Sequence, residues 1–223
     1  MKIELLTYTP DPELSIANAA RICYDSKPKD LNGERKFIMG LVKSGHTATI
    51  EHASATFRFE GVSRALTHEL VRHRLFSFCQ RSQRYVKESE PSYVTPDVLM
   101  DDNTANQKLL LAKDIFEKAM QNAWDAYSLL LSYGLKPEDA RFVLPNACTT
   151  SITVSGNFRE WHNFLSLRLS PRAQWEIRKA ANIVYEKLME IAPSVFFDLH
   201  DMATTKFEKL EDETKLTFSK IVL

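Results

Sequence analysis

The chain has 223 residues, 44% of them hydrophobic and 26% charged, which is typical of a folded globular protein and not of a disordered or fibrous one. The 29 basic and 29 acidic residues cancel, so no overall charge draws the protein to nucleic acid or to an anionic membrane. Any anion that the protein binds must therefore be held by a local group of basic side chains. At this length we expect one domain, covering residues 1–223.

The amino terminus and the cysteines indicate the cellular compartment of the protein. The opening MKIELLTYTPDPE has no apolar stretch behind its lysine, and no later run is long enough to span a membrane. Cys23, Cys79 and Cys148 lie far apart and form no CxxC pair, which predicts neither a metal site nor a redox motif. An odd, sparse set of cysteines fits a reducing compartment. We expect a cytoplasmic protein with no membrane or nucleic-acid partner.

In chain order, the first sixty residues predict a strand, two helices and a second strand. Residues 3–6 begin a short strand, and residues 13–24 form a helix with one buried side, made of Leu14, Ala17, Ala20 and Ile22. A second helix follows the polar loop at 25–33 and ends at Ser44-Gly45. From 53 to 60 apolar and polar residues alternate, which indicates a half-buried strand.

Helices dominate the remainder. Ser63 is placed to cap a helix that runs towards Arg74, and residues 106–133 predict a long amphipathic helix ended by Gly134. A short helix at 137–139 and a β-branched strand at 149–154 follow. Two more helices are expected, one capped by Asn157 and one running from Ser170-Pro171 to just before Pro193. A few strands among many helices predict an α+β fold with a small, largely antiparallel sheet.

Most of the candidate chemistry lies in residues 64–85, RALTHELVRHRLFSFCQRSQRY, where Glu69 is the only acid. If the helix continues through Arg72, His73 and Arg74, these side chains fan around it and at least one faces the protein interior or a partner subunit. An unpaired guanidinium is costly there, and a bound phosphate would relieve the cost. The following loop is then a candidate nucleotide-phosphate cradle, because it carries Ser77, Gln80, Ser82 and Gln83.

Two other interpretations stay open for this stretch. It is a basic helix on the surface that pairs with acids elsewhere, which is the commoner fate of such clusters. Alternatively, it binds nucleic acid, since Phe76, Phe78 and Tyr85 alternate with the arginines and can stack on bases. Zero net charge and the lack of a second basic patch weigh against nucleic acid.

Five sequence segments resemble the flavin-dependent thymidylate synthases. Arg72-His73-Arg74, seven residues and Ser82 match the RHR-x7-S signature of that family, and Gln83-Arg84-Tyr85 continue the match. The other matching segments are Gly45-His46 with Glu51-His52, ARFVLP at 140–145, NFLSLR at 163–168 and AQWEI at 173–177. The resemblance covers most of the chain, and it implies a homotetramer with sites built where subunits meet.

The resemblance also implies ligands for individual residues. Residues expected to contact FAD are Ala48, Arg72, His73, Arg74, Gln80, Asn157, Phe158, Arg159 and Asn163. Residues expected to contact deoxyuridine monophosphate are Glu69, Leu70, Val71, Arg72, Gln80, Arg81, Ser82, Gln83, Arg84, Arg141 and Arg168. Two positions depart from many relatives: Ala48 has no hydroxyl, so its backbone or Thr47 and Thr49 would serve, and Gln80 has no carboxylate.

The implied reaction converts deoxyuridine monophosphate to thymidine monophosphate. Methylenetetrahydrofolate is the expected one-carbon donor, FAD the hydride carrier and NADPH its reductant. Since no GxGxxG loop is present, the RHR and 157–163 segments would have to hold FAD. The Arg168 guanidinium suits stabilisation of negative charge on uracil. No cysteine is the expected nucleophile; Cys79 adjoins the matching residues without being one, and Cys23 and Cys148 are expected to be small buried hydrophobes.

Several single residues are expected to have structural roles. His46 and His52 are expected to be structural, and Arg141, in an apolar helix, is a candidate for a buried ion pair. The helical spacing of Trp161, Phe164 and Trp175 places them in the core.

Overall fold

A computed structural model describes residues 1–88, 90–100 and 106–204. These residues form two compact units, and the chain passes between them several times. Of these, the first unit contains residues 1–2, 58–72, 78–88, 90–100 and 106–153, and the second contains residues 3–57, 73–77 and 154–204. That the whole chain acts as one domain stays a prediction.

The strands form one antiparallel sheet, which confirms the expected α+β class. Its strands are β1 (Lys2–Tyr8), β2 (Ser54–Ser63), β3 (Ser77–Gln80) and β4 (Thr149–Asn157), in the order β1-β2-β4-β3. The predicted alternation in β2 is confirmed, because Ala55, Phe57 and Phe59 are buried whereas the side chains between them are not. Strand β3 falls where an irregular loop was expected. It has four residues, too few for a periodic pattern to be recognised.

The second unit carries most of the helices. They are α1 (Pro12–Tyr24), α2 (Leu31–Lys43), α6 (Phe158–Arg168), α7 (Trp175–Ile191), α8 (Pro193–Phe196) and α9 (His200–Thr204). The predicted cap of α6 is confirmed, since the Asn157 side chain accepts a hydrogen bond from the Glu160 backbone N–H at 3.0 Å. An aromatic cluster forms part of the core: Phe76 and Phe57 lie 4.4 and 4.8 Å from Trp161, between ring centroids.

The first unit contains α3 (Arg64–Leu70), α4 (Gln107–Ser132) and α5 (Pro137–Ala140). Ser63 caps α3 as predicted, with its Oγ accepting from the Leu66 N–H at 3.0 Å. Gly134 follows α4 at φ 87°, a left-handed conformation that glycine adopts without a steric cost. Trp124, Tyr127, Ala140 and Cys148 form a buried cluster in this unit. Among the described residues, no helix is long and apolar enough to cross a membrane.

Three local predictions are wrong. In α1, Ala17 and Ala20 are buried as predicted, but Leu14 and Ile22 are 49% and 82% exposed. The helix is turned so that Glu13 is buried and accepts a hydrogen bond from the Ser194 N–H at 2.7 Å. Helix α7 begins at Trp175 instead of Ser170. Gln174 caps it, and residues 170–173 form a separate turn in which the Ala173 N–H donates to the Ser170 carbonyl.

Helix α3 ends at Leu70 and does not reach Arg74. After Leu70 the backbone tightens: the Val71 N–H bonds to the Thr67 carbonyl, and the Arg72 N–H bonds to the Glu69 carbonyl. The RHR segment therefore lies in turns, and its side chains do not fan around a helix as predicted.

Candidate active site

In the RHR segment the buried side chain is a histidine. His73 is 7% exposed, whereas Arg72 and Arg74 are exposed. Neither of these arginine side chains pairs with another residue in the ranges that the structure describes. At least one side chain of the segment was expected to face the protein interior or a partner subunit, and in this chain it is His73, so both guanidinium charges remain available to a ligand.

His73 contacts Arg168, the arginine to which the family resemblance assigns a catalytic role. The Arg168 Nε–H, near the end of α6, donates a hydrogen bond of 3.1 Å to His73 Nε2. The His73 ring packs against Phe164 and Phe76, with centroids 5.2 and 6.1 Å away. Burial, and then the charge of Arg168, lower the pKa of His73 from 6.5 to about 4. His73 is therefore neutral at neutral pH.

The amino-terminal half of α6 carries the second set of residues assigned to FAD. Arg159 and Asn163 are exposed and one turn apart, so they lie on the same face of the helix. Arg159 forms an ion pair with Glu51. Phe158 is fully buried and its N–H donates to the Ala53 carbonyl at 2.8 Å, so both its side chain and its N–H serve the fold. Burial raises the pKa of the neighbouring Glu160.

Ala48 lies exposed in the short 3₁₀ helix Thr47–His52. The Thr49 hydroxyl, one of the two suggested substitutes, donates to the His46 carbonyl at 2.9 Å. The Thr49 hydroxyl therefore cannot donate to a ligand, although its oxygen can still accept a hydrogen bond. Thr47 and the backbone of Ala48 remain as further possible contacts.

The donors of the second unit suit an FAD molecule. FAD presents a diphosphate and ring carbonyls, which require cations and N–H donors. The second unit supplies two exposed guanidinium groups and one exposed amide, from Arg74, Arg159 and Asn163. These residues fit the group, and among the residues that the structure describes a ligand phosphate would have to replace one ion pair, between Arg159 and Glu51.

In the first unit, the residues after β3 form the loop assigned to the nucleotide phosphate. Gln80 Nε2 donates to the Thr67 and Thr150 hydroxyls at 3.1 and 3.4 Å, which fixes its side chain. The Ser82 Oγ accepts from the Arg84 N–H at 3.2 Å. Gln83 is 5% exposed, and its Nε2 has no hydrogen-bond partner among the described residues. An unpaired buried donor is costly, so this amide is a strong candidate for a ligand contact.

Arginines outnumber carboxylates around this loop. Arg81 pairs with the largely buried Glu88 at 3.0 Å, and Arg84 pairs with Glu138 at 3.2 Å. Arg141 Nε donates to the Glu138 carbonyl at 3.1 Å. Arg141 is half-buried in the 3₁₀ helix Arg141–Val143 and does not occupy the apolar helix expected for it.

Arg64 is a member of this group to which the sequence assigned no role. Its Nη2 donates to the Arg81 carbonyl at 3.1 Å. Burial lowers the pKa of Arg64, and the nearby charges of Arg141 and Arg81 act in the same direction, against Glu88. The sequence did carry a signal, since an arginine in the first turn of a helix opposes the helix dipole. Arg64, Arg81, Arg84 and Arg141, with Glu88 and Glu138 as their ion-pair partners among the described residues, form an arginine cluster beside this loop that is suited to binding an anion.

Glu69, Leu70 and Val71 differ in what they offer to a ligand. Glu69 is half-buried and Val71 is 41% exposed, but Leu70 is fully buried. The Leu70 side chain therefore serves the core, and only its backbone remains for a ligand.

The two units divide the predicted residues. The first unit holds all the residues assigned to the nucleotide except Arg168. Two of these residues, Arg72 and Gln80, were assigned to FAD as well. The second unit holds Arg168 and the other residues assigned to FAD, from Ala48 to Asn163.

The burial of the cysteines and of three aromatic residues can be compared with what the sequence predicted. Cys23 is exposed, so its prediction as a buried hydrophobe is wrong, whereas Cys148 is buried as predicted. Burial raises the pKa of the Cys148 thiol to about 11. Trp161 and Phe164 are fully buried as expected, but Trp175 is only half-buried. Within the described residues, no three His, Cys, Asp or Glu side chains are grouped as metal ligands would be.

Comparison with known proteins identifies the family. Residues 4–194 match the family described as thymidylate synthase complementing protein. A flavin-dependent thymidylate synthase of Geobacter sulfurreducens is 44% identical over 205 residues, covering 89% of this chain and 86% of the relative. One from Clostridium tetani is 42% identical, covering 88% and 85%, and one from Sulfurisphaera tokodaii is 38% identical, covering 88% and 76%. The chain belongs to the flavin-dependent thymidylate synthase family.

Proposed function

We propose that this enzyme converts deoxyuridine monophosphate to thymidine monophosphate, with methylenetetrahydrofolate as methyl source, FAD as hydride carrier and NADPH as reductant. The observation that carries the proposal is the arginine cluster beside the loop after β3. It groups Arg64, Arg81, Arg84 and Arg141 near the buried, unpaired Gln83 amide. A nucleotide phosphate satisfies both the excess positive charge and the unpaired donor.

The loop is expected to bind phosphate by exchanging partners. Arg84 is half exposed and paired with the half-exposed Glu138, and a surface ion pair of this kind contributes only about 0–1 kcal/mol. A phosphate can accept two hydrogen bonds from one guanidinium, whereas Glu138 accepts one, from Arg84 Nε. Arg84 is therefore expected to release Glu138 when the nucleotide binds.

Arg168 is the residue proposed to activate uracil. The guanidinium of arginine is a fixed positive charge, so it would hold negative charge that develops on the uracil ring without giving up a proton. Arg168 is half-buried, which strengthens its electrostatic effect compared with a fully solvated charge.

Arg74, Arg159 and Asn163 are the residues proposed to hold FAD, together with the exposed backbone at Ala48. When bound, FAD supplies the hydride that this methylation consumes. The protein would contribute orientation and a fixed electrostatic field through these donors.

A homotetrameric assembly and a cytoplasmic location complete the proposal. In support of self-association, α4 exposes Leu110, Leu111 and Ile115 at 47%, 58% and 68%, an apolar strip that a second copy would cover. Light scattering coupled to gel filtration would test the assembly, and a monomer at micromolar concentration would contradict it.

The activity is tested by incubating purified protein with FAD, NADPH, methylenetetrahydrofolate and deoxyuridine monophosphate, with product measured by mass spectrometry. We expect thymidine monophosphate only when all components are present. Arg168→Ala is the matched control: it should abolish product and retain FAD, because its proposed partner is uracil. Arg168→Lys should recover only part of the activity, since an ammonium lacks the planar fork. Near-normal turnover in the Ala variant would show that the ring is activated elsewhere.

A further inference from the structure

One hydrogen bond connects the RHR segment to Arg168. His73 lies in the turns after α3, and Arg168 lies on the last turn of α6, 95 residues later. The bond joins Arg168 Nε to His73 Nε2 at 3.1 Å, within the second unit. It therefore links two residues for which the sequence suggested separate partners, the flavin for His73 and the uracil for Arg168.

The direction of this bond is determined by its chemistry. Arginine has no acceptor, so Arg168 donates and His73 Nε2 carries a lone pair. The ring proton of His73 is then on Nδ1. The Nε–H bond lies in the plane of the guanidinium group. A hydrogen bond from this N–H to a fixed acceptor therefore restricts the orientation of the whole group.

The His73 ring is itself held in place. It packs edge-on against Phe164, and the Phe76 ring supports it from another side. Phe76 lies against Gly156, where any Cβ would overlap the Phe76 ring. The position of the imidazole is therefore fixed by side chains of the core.

We infer that His73 is a positioning residue that orients the Arg168 guanidinium by accepting its Nε–H. The inference rests on the proposed role of Arg168 in uracil activation. The low pKa of His73 supports it, because the lone pair stays available throughout the neutral range. A protonated His73 would have no acceptor and would repel Arg168.

Two substitutions at position 73 separate positioning from packing. Glutamine places an acceptor near the position of Nε2, whereas asparagine is one carbon shorter and does not reach Arg168. We expect His73→Asn to lower kcat about 10- to 100-fold, the scale of a misplaced catalytic group, and His73→Gln to recover most of that loss. His200→Gln, at an exposed histidine of the same unit, is the control and should leave kcat unchanged.

Flavin content and folding are measured in every variant, the latter by circular dichroism. Equal losses in the Gln and Asn variants, or losses that follow flavin content, would overturn the inference and would leave His73 as a flavin contact or a packing residue.

A measurement that needs no turnover keeps this inference separate from the proposed function. In protein with ¹⁵N-labelled histidine, His73 should show a proton on Nδ1 and an unprotonated Nε2 at neutral pH. The Nε2 resonance should move in Arg168→Met, which removes the donor. A protonated Nε2 in the parent protein, or no shift in Arg168→Met, would refute the bond whether or not the protein makes thymidylate.

Discussion

Arg84 and Glu138 form an ion pair whose two halves should have opposite effects on nucleotide binding. Arg84→Ala should weaken binding of deoxyuridine monophosphate by about 1.5–3 kcal/mol, the usual cost of losing a charged hydrogen bond. Glu138→Gln should strengthen it, because the carboxylate no longer competes for the guanidinium 3.2 Å away. Dissociation constants from isothermal titration calorimetry test both changes.

Deoxyuridine is the control ligand for this pair, since it lacks the phosphate. Both substitutions should change its affinity much less. If they change the affinity for deoxyuridine as much as that for the monophosphate, Arg84 does not contact the phosphate.

The cysteines allow a test of the mechanism at the same scale. Cys148 is buried with a pKa near 11, so almost none of it is the nucleophilic thiolate at neutral pH. We expect a thiol reagent to modify Cys148 only after unfolding, whereas the exposed Cys23 reacts in the native protein. A variant with Cys23, Cys79 and Cys148 changed to Ser or Ala should keep turnover within about tenfold, a barrier change near 1.4 kcal/mol.

One outcome of the cysteine experiment would contradict the proposed mechanism. If the folded, flavin-loaded variant binds nucleotide but makes no thymidylate, and Cys79→Ser alone reproduces that loss, a cysteine takes part in the chemistry and the proposed role of Arg168 is insufficient.

At the scale of elements, two glycines give a matched pair of substitutions. Gly156 lies at the end of β4, where a Cβ would overlap the buried Phe76 ring, so Gly156→Ala should destabilise by about 1–3 kcal/mol, the usual cost of overpacking. In contrast, Gly40 is inside α2 and a Cβ there meets nothing within 4 Å. Gly40→Ala should therefore stabilise by about 0.4–1 kcal/mol.

The free energy of unfolding in urea measures both glycine changes. Equal effects of alanine at positions 40 and 156 would contradict the packing assigned to Phe76, and with it the support proposed for His73.

Sequence patterns predicted those elements whose signals are local. The caps at Ser63 and Asn157 and the alternation in β2 were correct, because each depends on residues within a few positions of one another. The predicted face of α1 was correct for Ala17 and Ala20 but wrong for Leu14 and Ile22, since the partner of the buried Glu13 is the distant Ser194 backbone. Strand β3 was missed for the same reason: it is stabilised by pairing with β4, far along the chain.

For the candidate site too, the sequence predicted only what depends on neighbouring residues. The resemblance supplied residue names, but the local sequence could not tell which member of Arg72-His73-Arg74 is buried, because the end of α3 decides it. It also gave no indication of the His73–Arg168 bond or of the pairing of Arg84 with Glu138, whose partners are far apart in sequence. Pairwise contacts of this kind need the tertiary fold.

For the molecule as a whole, family membership and site chemistry agree. The first unit carries the arginine cluster proposed to bind the nucleotide phosphate, and the second carries Arg168 and the remaining donors suited to FAD. The central claim is that this chain is a flavoenzyme, and every proposed step depends on its holding FAD.

The most direct test is the absorption spectrum of the purified protein after incubation with FAD and removal of unbound flavin. We predict a yellow protein whose flavin absorption is bleached by NADPH without oxygen, and Arg74→Ala should retain less flavin than the parent. A colourless protein that is folded by circular dichroism, yet retains no added FAD, would contradict the account.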